Sequence, residues 1–465
     1  MTRRWWWLWI LIGSPGILFS QGIGDSIIVE PVEFIGNHKT QTRILAREMT
    51  FRAGDTLSLD QFNQELERSR QNIFNLNLFL TVSSCVEMTV DGRITPVIEV
   101  KERLYLLILP IFFLADRNFS EWWYDRGRDL RRTTYGVNAH HDNLTGNNDQ
   151  LQLRAYGGFV PYLELSYGRP YIDRRQRMGI SGGIFMATQR TMAFRTWNDK
   201  LDFFPTEERM RERSGAFVRY NLRNGLYHFH TLQANFAQTK IADTIARLNP
   251  HYFLDGKTEQ KIISLTYDYR KDTRDNKQYA LTGDVFFAQS TFQHVIHAPI
   301  RSLFSIQSGY VKYGALSSRW FWDASIRMRW STPVLQPYAQ IVGLGFGNNL
   351  VRGYELNVLD GQGFALFKSN LKYKLINQVF DLSRWIKFRQ FNTFPLAGYA
   401  TVYADAGRVW NPYPEKSNTQ LGNTWLVGGG AGLDIISFYN TIGRINYSMN
   451  RQGEGRVYFT IARGF

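Results

Sequence analysis

The chain has 465 residues, 44% of them hydrophobic and 15% aromatic, with 39 glycines and a formal net charge of +15, and its mean hydropathy is −0.31. A chain rich in aromatics yet polar on average is not a helical membrane protein, and after Ser20 no apolar run reaches the ~18 residues that a spanning helix needs. The basic residues are scattered singly along the chain instead of gathered in a patch, which argues against nucleic acid as a partner. A transmembrane barrel hides its hydrophobicity in alternation, so glycine-rich, aromatic-rich, half-apolar strands suit one. Cys85 is the single cysteine; it leaves no disulfide framework and no cysteine metal site, and a small buried core residue is its expected role.

Residues 1–20 read as a secretory signal. Arg3 and Arg4 supply the positive end, Trp5 to Ile12 the apolar core, and Gly13 to Gly16 the helix break before an expected cut between Ser20 and Gln21. From Ser26 to Glu102 the periodicity is mixed. Ile27 to Phe34 is expected as a strand, Thr40 to Met49 as a helix, Ser58 to Asn75 as a second helix capped by Ser58, and Thr81 to Met88 with Arg93 to Lys101 as a hairpin about Asp91-Gly92. Phe74, Leu76, Leu78 and Phe79 are the expected core of this unit. The change to strict alternation at Lys101-Glu102-Arg103 places a boundary there and divides the mature chain into 21–102 and 103–465.

The remainder alternates in strand-length segments, and sixteen strands are expected between Arg103 and Phe465. One of them sets Trp322, Ala324, Ile326, Met328 and Trp330 against Asp323, Ser325, Arg327 and Arg329. Trp322 and Trp330 lie on the apolar face roughly 27 Å apart along a strand, which at a tilt of about 40° spans most of a ~25 Å lipid band between two aromatic girdles. Arg190 to Arg211 and Ile241 to Thr258 are polar connections. Lys277 to Ala288 is the expected ninth strand. Pro110 in the first strand cannot donate to a ladder and Gly464 weakens the last, so the seam between them should be the poorest of the closures.

Gly345 to Tyr354 reads as a loop, with glycines and asparagines that allow positive φ. Its Arg352 needs an anionic partner, and the strand phase near Asp405 offers one. Ala400, Val402, Ala404 and Ala406 form an apolar face suited to lipid, which turns Thr401, Tyr403, Asp405 and Gly407 inward. Gly353 permits the turn and Tyr354 is expected beside the pair. In a wet lumen such a pair is worth only about 1 kcal/mol.

The Val351-Arg352-Gly353-Tyr354 loop with its partners Tyr403, Asp405 and Gly407 resembles the inward-folded loop motif of the BamA/TamA-like outer-membrane assembly barrels. The resemblance continues elsewhere. Ile35-Gly36-Asn37, Arg47-Glu48, Ala53-Gly54-Asp55 and Asn72 to Phe79 resemble a single POTRA domain; Tyr167 to Asp173 resembles a strand-ending segment of the family; Thr273-Arg274-Asp275 with Leu281-Thr282-Gly283 resembles its turn between the eighth and ninth strands. Phe465, with Ile461, Phe459 and Val457 on one face, is similar to the terminal aromatic insertion signal. The resemblance implies a mainly β protein: a 16-stranded transmembrane antiparallel barrel in the bacterial outer membrane, preceded by one small α+β domain in the periplasm, with eleven strands before the Arg352 loop and five after it.

No enzyme constellation emerges, and no cofactor or metal is expected. His228 and His230 share a strand face, with lumen or surface histidines as their ordinary reading. The resemblance implies assembly or insertion of outer-membrane proteins through a laterally opening barrel, with the lipid bilayer and unfolded barrel or secreted polypeptides as partners and possible accessory subunits. Two alternatives stand beside it: an exporter of one dedicated partner, and a passive or gated pore made anion-selective by inward Arg154, Arg270, Arg327, Arg329 and Arg444.

Overall fold

The computed structural model describes residues 26–88, 93–114, 119, 121–125, 127–204, 206, 208–296, 302–384, 387, 393–437 and 441–463. The signal segment 1–20, the Asp91-Gly92 turn, Gly464 and Phe465 lie outside these residues, as does the side chain of Ile461.

The amino-terminal unit runs β1 (Ser26–Val29), β2 (Glu33–Ile35), α1 (Thr42–Ala46), β3 (Thr56–Ser58), α2 (Leu59–Phe74), β4 (Phe79–Met88) and β5 (Arg93–Glu102). β5 is central, parallel to β1 and β2 and antiparallel to β4. The expected strand from Ile27 to Phe34 is two strands, separated at Pro31, which has no N–H to continue a ladder. Helix α2 starts on a capping box: Ser58 Oγ accepts from the Gln61 N–H at 3.3 Å and Gln61 Oε1 accepts from the Ser58 N–H at 3.2 Å. Its buried face, Phe62, Leu66, Ser69 and Ile73, recurs at helical spacing and packs against Ile44, Leu45, Phe51, Leu78, Phe79 and Ile98, with Phe74 and Leu76 at the margin. Full burial of a side chain such as Phe62 stabilises by about 1.5–3 kcal/mol. Cys85 is exposed, not part of this core. By Cys85, strand β4, paired only with β5, has run past the core, and neighbouring Val86 is exposed as well.

The second unit is a single antiparallel sheet of sixteen strands: β6 (Leu106–Leu114), β7 (Thr133–Asp142), β8 (Gln150–Gly158), β9 (Tyr162–Arg169), β10 (Met178–Gln189), then, after a separate hairpin of β11 (Met192–Trp197) and β12 (Lys200–Phe204), β13 (Arg211–Asn224), β14 (His228–Ile241), β15 (Glu259–Asp272), β16 (Gly283–Ile296), β17 (Ser302–Ala315), β18 (Trp320–Thr332), β19 (Gly363–Asp381), β20 (Thr393–Trp410), β21 (Trp425–Ser437), β22 (Thr441–Asn450) and β23 (Gly455–Arg463). Each pairs with its neighbour in chain order, the β11–β12 hairpin aside. The loop that carries Arg352 follows β18, the eleventh strand of the sheet, and five strands come after it.

The outer face is apolar and the inner face polar. Val402 is 60% exposed while Asp405, on the opposite phase of β20, is 3% exposed; Met328 and Trp330 on β18 are exposed while Asp323 is buried. No helix among the described residues is long and apolar enough to cross a membrane.

Three expected elements differ. The ninth strand begins at Gly283, not Lys277, because residues 277–282 fold into a tight turn. The connection from Arg190 to Arg211 is itself a hairpin, closed at Asn198 and Asp199 with φ of 49° and 58°, the left-handed pair that a two-residue hairpin turn requires. The connection from Ile241 to Thr258 carries a short helix, α3 (Asp243–Leu248).

β6 and β23 are the two ends of the sheet, and no ladder joins them among the described residues. Side chains of the connection that follows β6 reach β23. Phe119 lies 6.2 Å from Phe459, edge to face, and the Arg456 guanidinium sits 5.1 Å from the Tyr124 ring.

Candidate functional site

The loop between β18 and β19 folds back into the barrel and places Arg352 on the inner wall. Arg352 Nε donates to Asp405 Oδ2 at 2.8 Å and Nη2 to Oδ1 at 2.5 Å, while the Arg352 backbone N–H donates to Oδ2 at 3.0 Å. A planar fork on a carboxylate fixes direction as well as distance. Nη1 donates to Asn370 Oδ1 on β19 at 2.7 Å, and the guanidinium lies 3.8 Å above the Tyr403 ring. Tyr403 is held in turn by Ser448, 2.7 Å from its hydroxyl on β22. Lys368 Nζ is a second cation, 3.8 Å from Asp405 Oδ2.

The Asp405 side chain has no exposure and that of Arg352 has 17%. The pair is therefore far drier than a lumen-facing pair would be, and the figure for an exposed pair does not describe it.

The loop reaches the wall because glycines let it. Gly353 has φ 98°, and its N–H donates to Glu355 Oε2 at 2.8 Å. Gly407 faces Val351 and Leu344, whose side chains a Cβ would crowd at 2.6 and 3.0 Å. Gly428 on β21 stands opposite Asp405, and a Cβ there would collide with the carbonyl oxygen of Arg352. Val351 and Tyr354 are buried with Leu344, Leu359, Phe364, Leu366, Val409 and Leu426. The ring on Arg352 is thus Tyr403. Tyr354 points elsewhere, its hydroxyl donating to Gln452 Oε1 at 2.8 Å in the β22–β23 connection.

Asn370, Ser448 and Lys368 escape a reading of the sequence. Asn370 and Lys368 take their places from the register of β19 against β20, and Ser448 from that of β22 against β21, while alternation reveals only that they face inward. Of the terminal residues, Phe459 is exposed on the outer face of β23 opposite Ile445. His228 and His230 each meet a tyrosine hydroxyl, Tyr269 and Tyr267, at 2.8 Å, and the described residues hold no cluster of His, Cys, Asp or Glu suited to a metal.

The amino-terminal unit docks on the near-end turns of the barrel. Arg47 donates to the carbonyls of Gln176 and Gly225 at 2.8 and 2.9 Å. Glu48 pairs with Arg223 at the end of β13, and Gln41 N–H donates to the Gly146 carbonyl at 3.0 Å. Arg43 bonds Asn147.

Residues 27–103 match the POTRA family model, described as a surface antigen variable number repeat. No curated protein sequence matches the chain significantly. Among solved structures, BamA from Haemophilus ducreyi lacking POTRA domains 1–3 aligns with 94% of this chain and 84% of its own, at 15% identity and a TM-score of 0.55. CdiB from Escherichia coli aligns with 94% of this chain and 76% of its own, at 14% identity and a TM-score of 0.53. The fold is that of a BamA-like POTRA barrel. In this POTRA barrel, the docked unit is the POTRA domain, and the Arg352 loop occupies the lumen from the opposite end.

Proposed function

We propose that this chain is an outer-membrane factor that inserts or translocates polypeptides through the seam between β6 and β23, with residues 1–20 as an export signal, 21–102 as a periplasmic POTRA unit and 103–465 as the barrel. The observation that carries the reading is the pair of strand edges at the two ends of the sheet that share no ladder among the described residues. Unpaired N–H and C=O groups facing hydrocarbon are costly, so such an edge favours a strand that completes it. An incoming β-strand of an unfolded barrel or secreted polypeptide has the chemistry to do so. The work is the lowering of a barrier to insertion, with no covalent step and no cofactor. The site residues Val351, Arg352, Gly353, Tyr354, Tyr403, Asp405 and Gly407 act by holding the lumen loop to the wall beside the seam-side strands, and Phe459, Ile461 and Phe465 act in the insertion of this chain itself.

A passive anion pore fits less well. The inward arginines are engaged: Arg154 with Glu164 at 3.4 Å, Arg444 with Asp434 at 3.6 Å, Arg327 with Asn349 at 2.9 Å, Arg329 with the Val342 carbonyl at 3.2 Å and Arg270 over the Phe229 ring at 5.2 Å. The test is a pair of cysteines at facing positions of β6 and β23, in a Cys85→Ser background, oxidised in reconstituted membranes. Client insertion should stop on oxidation and return on reduction. Insertion that continues through a locked seam would overturn the reading; a loss confined to one secreted client, with barrel insertion absent from the start, would assign the chain to dedicated export.

A further inference from the structure

The turn between β15 and β16, residues 273–282, stands between the POTRA domain and the lumen, and its own bonds make it rigid. Arg274 forks onto Asp272 at 2.8 and 2.8 Å and donates to the Lys277 carbonyl at 2.9 Å. Asp275 Oδ1 accepts from the N–H groups of Leu281 and Thr282 at 3.1 and 3.3 Å. A loop tied at so many points shifts as one piece more readily than it deforms.

On the near side this turn is gripped by Asn75, the residue that ends α2. Its Nδ2 donates to the carbonyls of Arg274 and Asp275 at 3.4 and 3.1 Å, and its Oδ1 accepts from the Lys277 N–H at 3.0 Å. On the far side Tyr279 is buried in the lumen. Its hydroxyl donates to Asp434 Oδ2 at 2.9 Å, its ring lies 4.9 Å from that of Tyr399, and Lys372 Nζ sits 4.7 Å from its centroid.

Lys372 leads onward. Its Nζ is 2.6 Å from Asp323 Oδ1, Asn370 Nδ2 donates to Asp323 Oδ2 at 2.6 Å, and Asn370 Oδ1 accepts from Arg352. A continuous set of contacts thus runs from the end of a POTRA helix, through a rigid turn, to the arginine that anchors the lumen loop.

We propose that the 273–282 turn couples POTRA docking to the anchoring of the Arg352 loop. With Asn75 engaged, the Tyr279 ring holds Lys372 against Asp323, which leaves Asn370 oriented to accept from Arg352. When the POTRA domain leaves the turn, Lys372 loses its ring, Asp323 is free to draw Asn370 away, and the loop is held by Asp405 without its second clamp. A polypeptide client that displaces the POTRA domain would then loosen the lumen loop from a distance; that purpose rests on the assembly reading, whereas the coupling does not.

The test is hydrogen exchange on the full-length protein in lipid nanodiscs, following residues 273–282 and 345–358 without any client. Asn75→Ala and Tyr279→Leu should raise exchange in both segments, by about fivefold or more at 345–358, the lower end of ordinary coupling between sites. Tyr279→Phe keeps the ring under Lys372 and loses only the bond to Asp434, so it should loosen 273–282 and leave 345–358 unchanged. Looser 273–282 with an unaltered 345–358 in both Asn75→Ala and Tyr279→Leu overturns the proposal, as does no change in either segment. Should Asn75→Ala fail to fold, the contrast between Tyr279→Leu and Tyr279→Phe decides alone. Because no client is present, a failed seam-locking experiment leaves this result standing, and the reverse holds.

Discussion

Arg223 and Glu48 form a buried fork across the two halves of the molecule: Nη1 donates to Oε1 at 2.5 Å and Nη2 to Oε2 at 2.6 Å, with the side chains 11% and 2% exposed. Nη1 also donates to the Tyr171 hydroxyl at 2.9 Å, and Nη2 and Nε donate to the Leu226 carbonyl at 2.9 and 3.2 Å, so the guanidinium is satisfied on every side. Removing one partner of such a pair leaves an uncompensated charge, which costs about 3–5 kcal/mol. Arg223→Ala is therefore expected to release the POTRA domain from the near-end turns. Arg223→Lys should rescue little, since a lysine cannot span both oxygens in one plane. Spin labels on α2 and on the β13–β14 turn would give a single narrow distance in the parent and a broad distribution in both variants; a narrow distribution in Arg223→Ala would show that docking does not depend on the fork.

The Arg352–Asp405 pair predicts an asymmetric double-mutant cycle. Arg352→Ala leaves Asp405 with Lys368 nearby, whereas Asp405→Ala leaves Arg352 and Lys368 as neighbouring cations with no carboxylate between them. Asp405→Ala should thus loosen the loop more than Arg352→Ala, and the double variant should be no worse than Asp405→Ala alone. Protease cleavage rates within 345–358 measure each. Additive losses would mean that the two residues act separately.

How much of this could be read from the chain alone depends on which force sets each feature. The alternation of Val402 and Ala404 against Tyr403 and Asp405 is a local consequence of strand geometry, so the inward phase of Asp405 is legible without a structure. So are the sixteen strands, since each carries its own alternation. Where a tertiary contact decides, the sequence is silent. Lys277 to Thr282 falls inside the expected ninth strand although Leu281-Thr282-Gly283 resembles the turn before it, and Asn75 and Asp275 hold its backbone in that turn. The dry setting of the Arg352 fork is also invisible, because only the folded-back loop brings Arg352 onto the Tyr403 ring and Asn370.

A pH dependence follows from Glu102, at the end of β5 and outside the sixteen-stranded sheet. Its Oε1 accepts from the Thr40 N–H at 2.7 Å and the Thr40 hydroxyl at 2.6 Å, and the Lys39 N–H reaches both oxygens at 3.2 and 3.1 Å. Burial on its own would raise the carboxyl, but the donors from Thr40 and Lys39 outweigh it and hold the group below the usual glutamate value. A depressed folded pKa stabilises above the unfolded value of about 4.3, and that contribution disappears as pH falls through the folded value. Glu102→Gln should therefore be less stable than the parent at pH 7 by about 1–3 kcal/mol, with the gap closing as the pH falls below about 4. Thermal unfolding of the full-length protein across this range reads it. A gap that stays constant with pH would show that ionisation of Glu102 is not its source.

Gly428 tests the closeness of loop and wall directly. On β21, it stands opposite Asp405 of β20 and opposite Asn450 of β22, so its Cα hydrogen faces the lumen where the Arg352 backbone passes. A methyl group there would collide with the Arg352 carbonyl oxygen and lie 3.3 Å from the Met449 oxygen. Both obstacles are backbone, and neither can turn aside as a side chain would. The strand itself is held by two ladders, so the loop is the part that must yield. Overpacking of this kind costs about 1–3 kcal/mol, enough to lift Arg352 from its fork without unfolding the sheet. Gly443→Ala is the control, because a Cβ at that position on β22 meets nothing within 4 Å. Gly428→Ala is expected to retain the heat-modifiable gel mobility of a folded barrel while its 345–358 segment is cleaved faster than in the parent or in Gly443→Ala. A segment equally protected in all three proteins would show that the Arg352 carbonyl does not lie against the wall at Gly428.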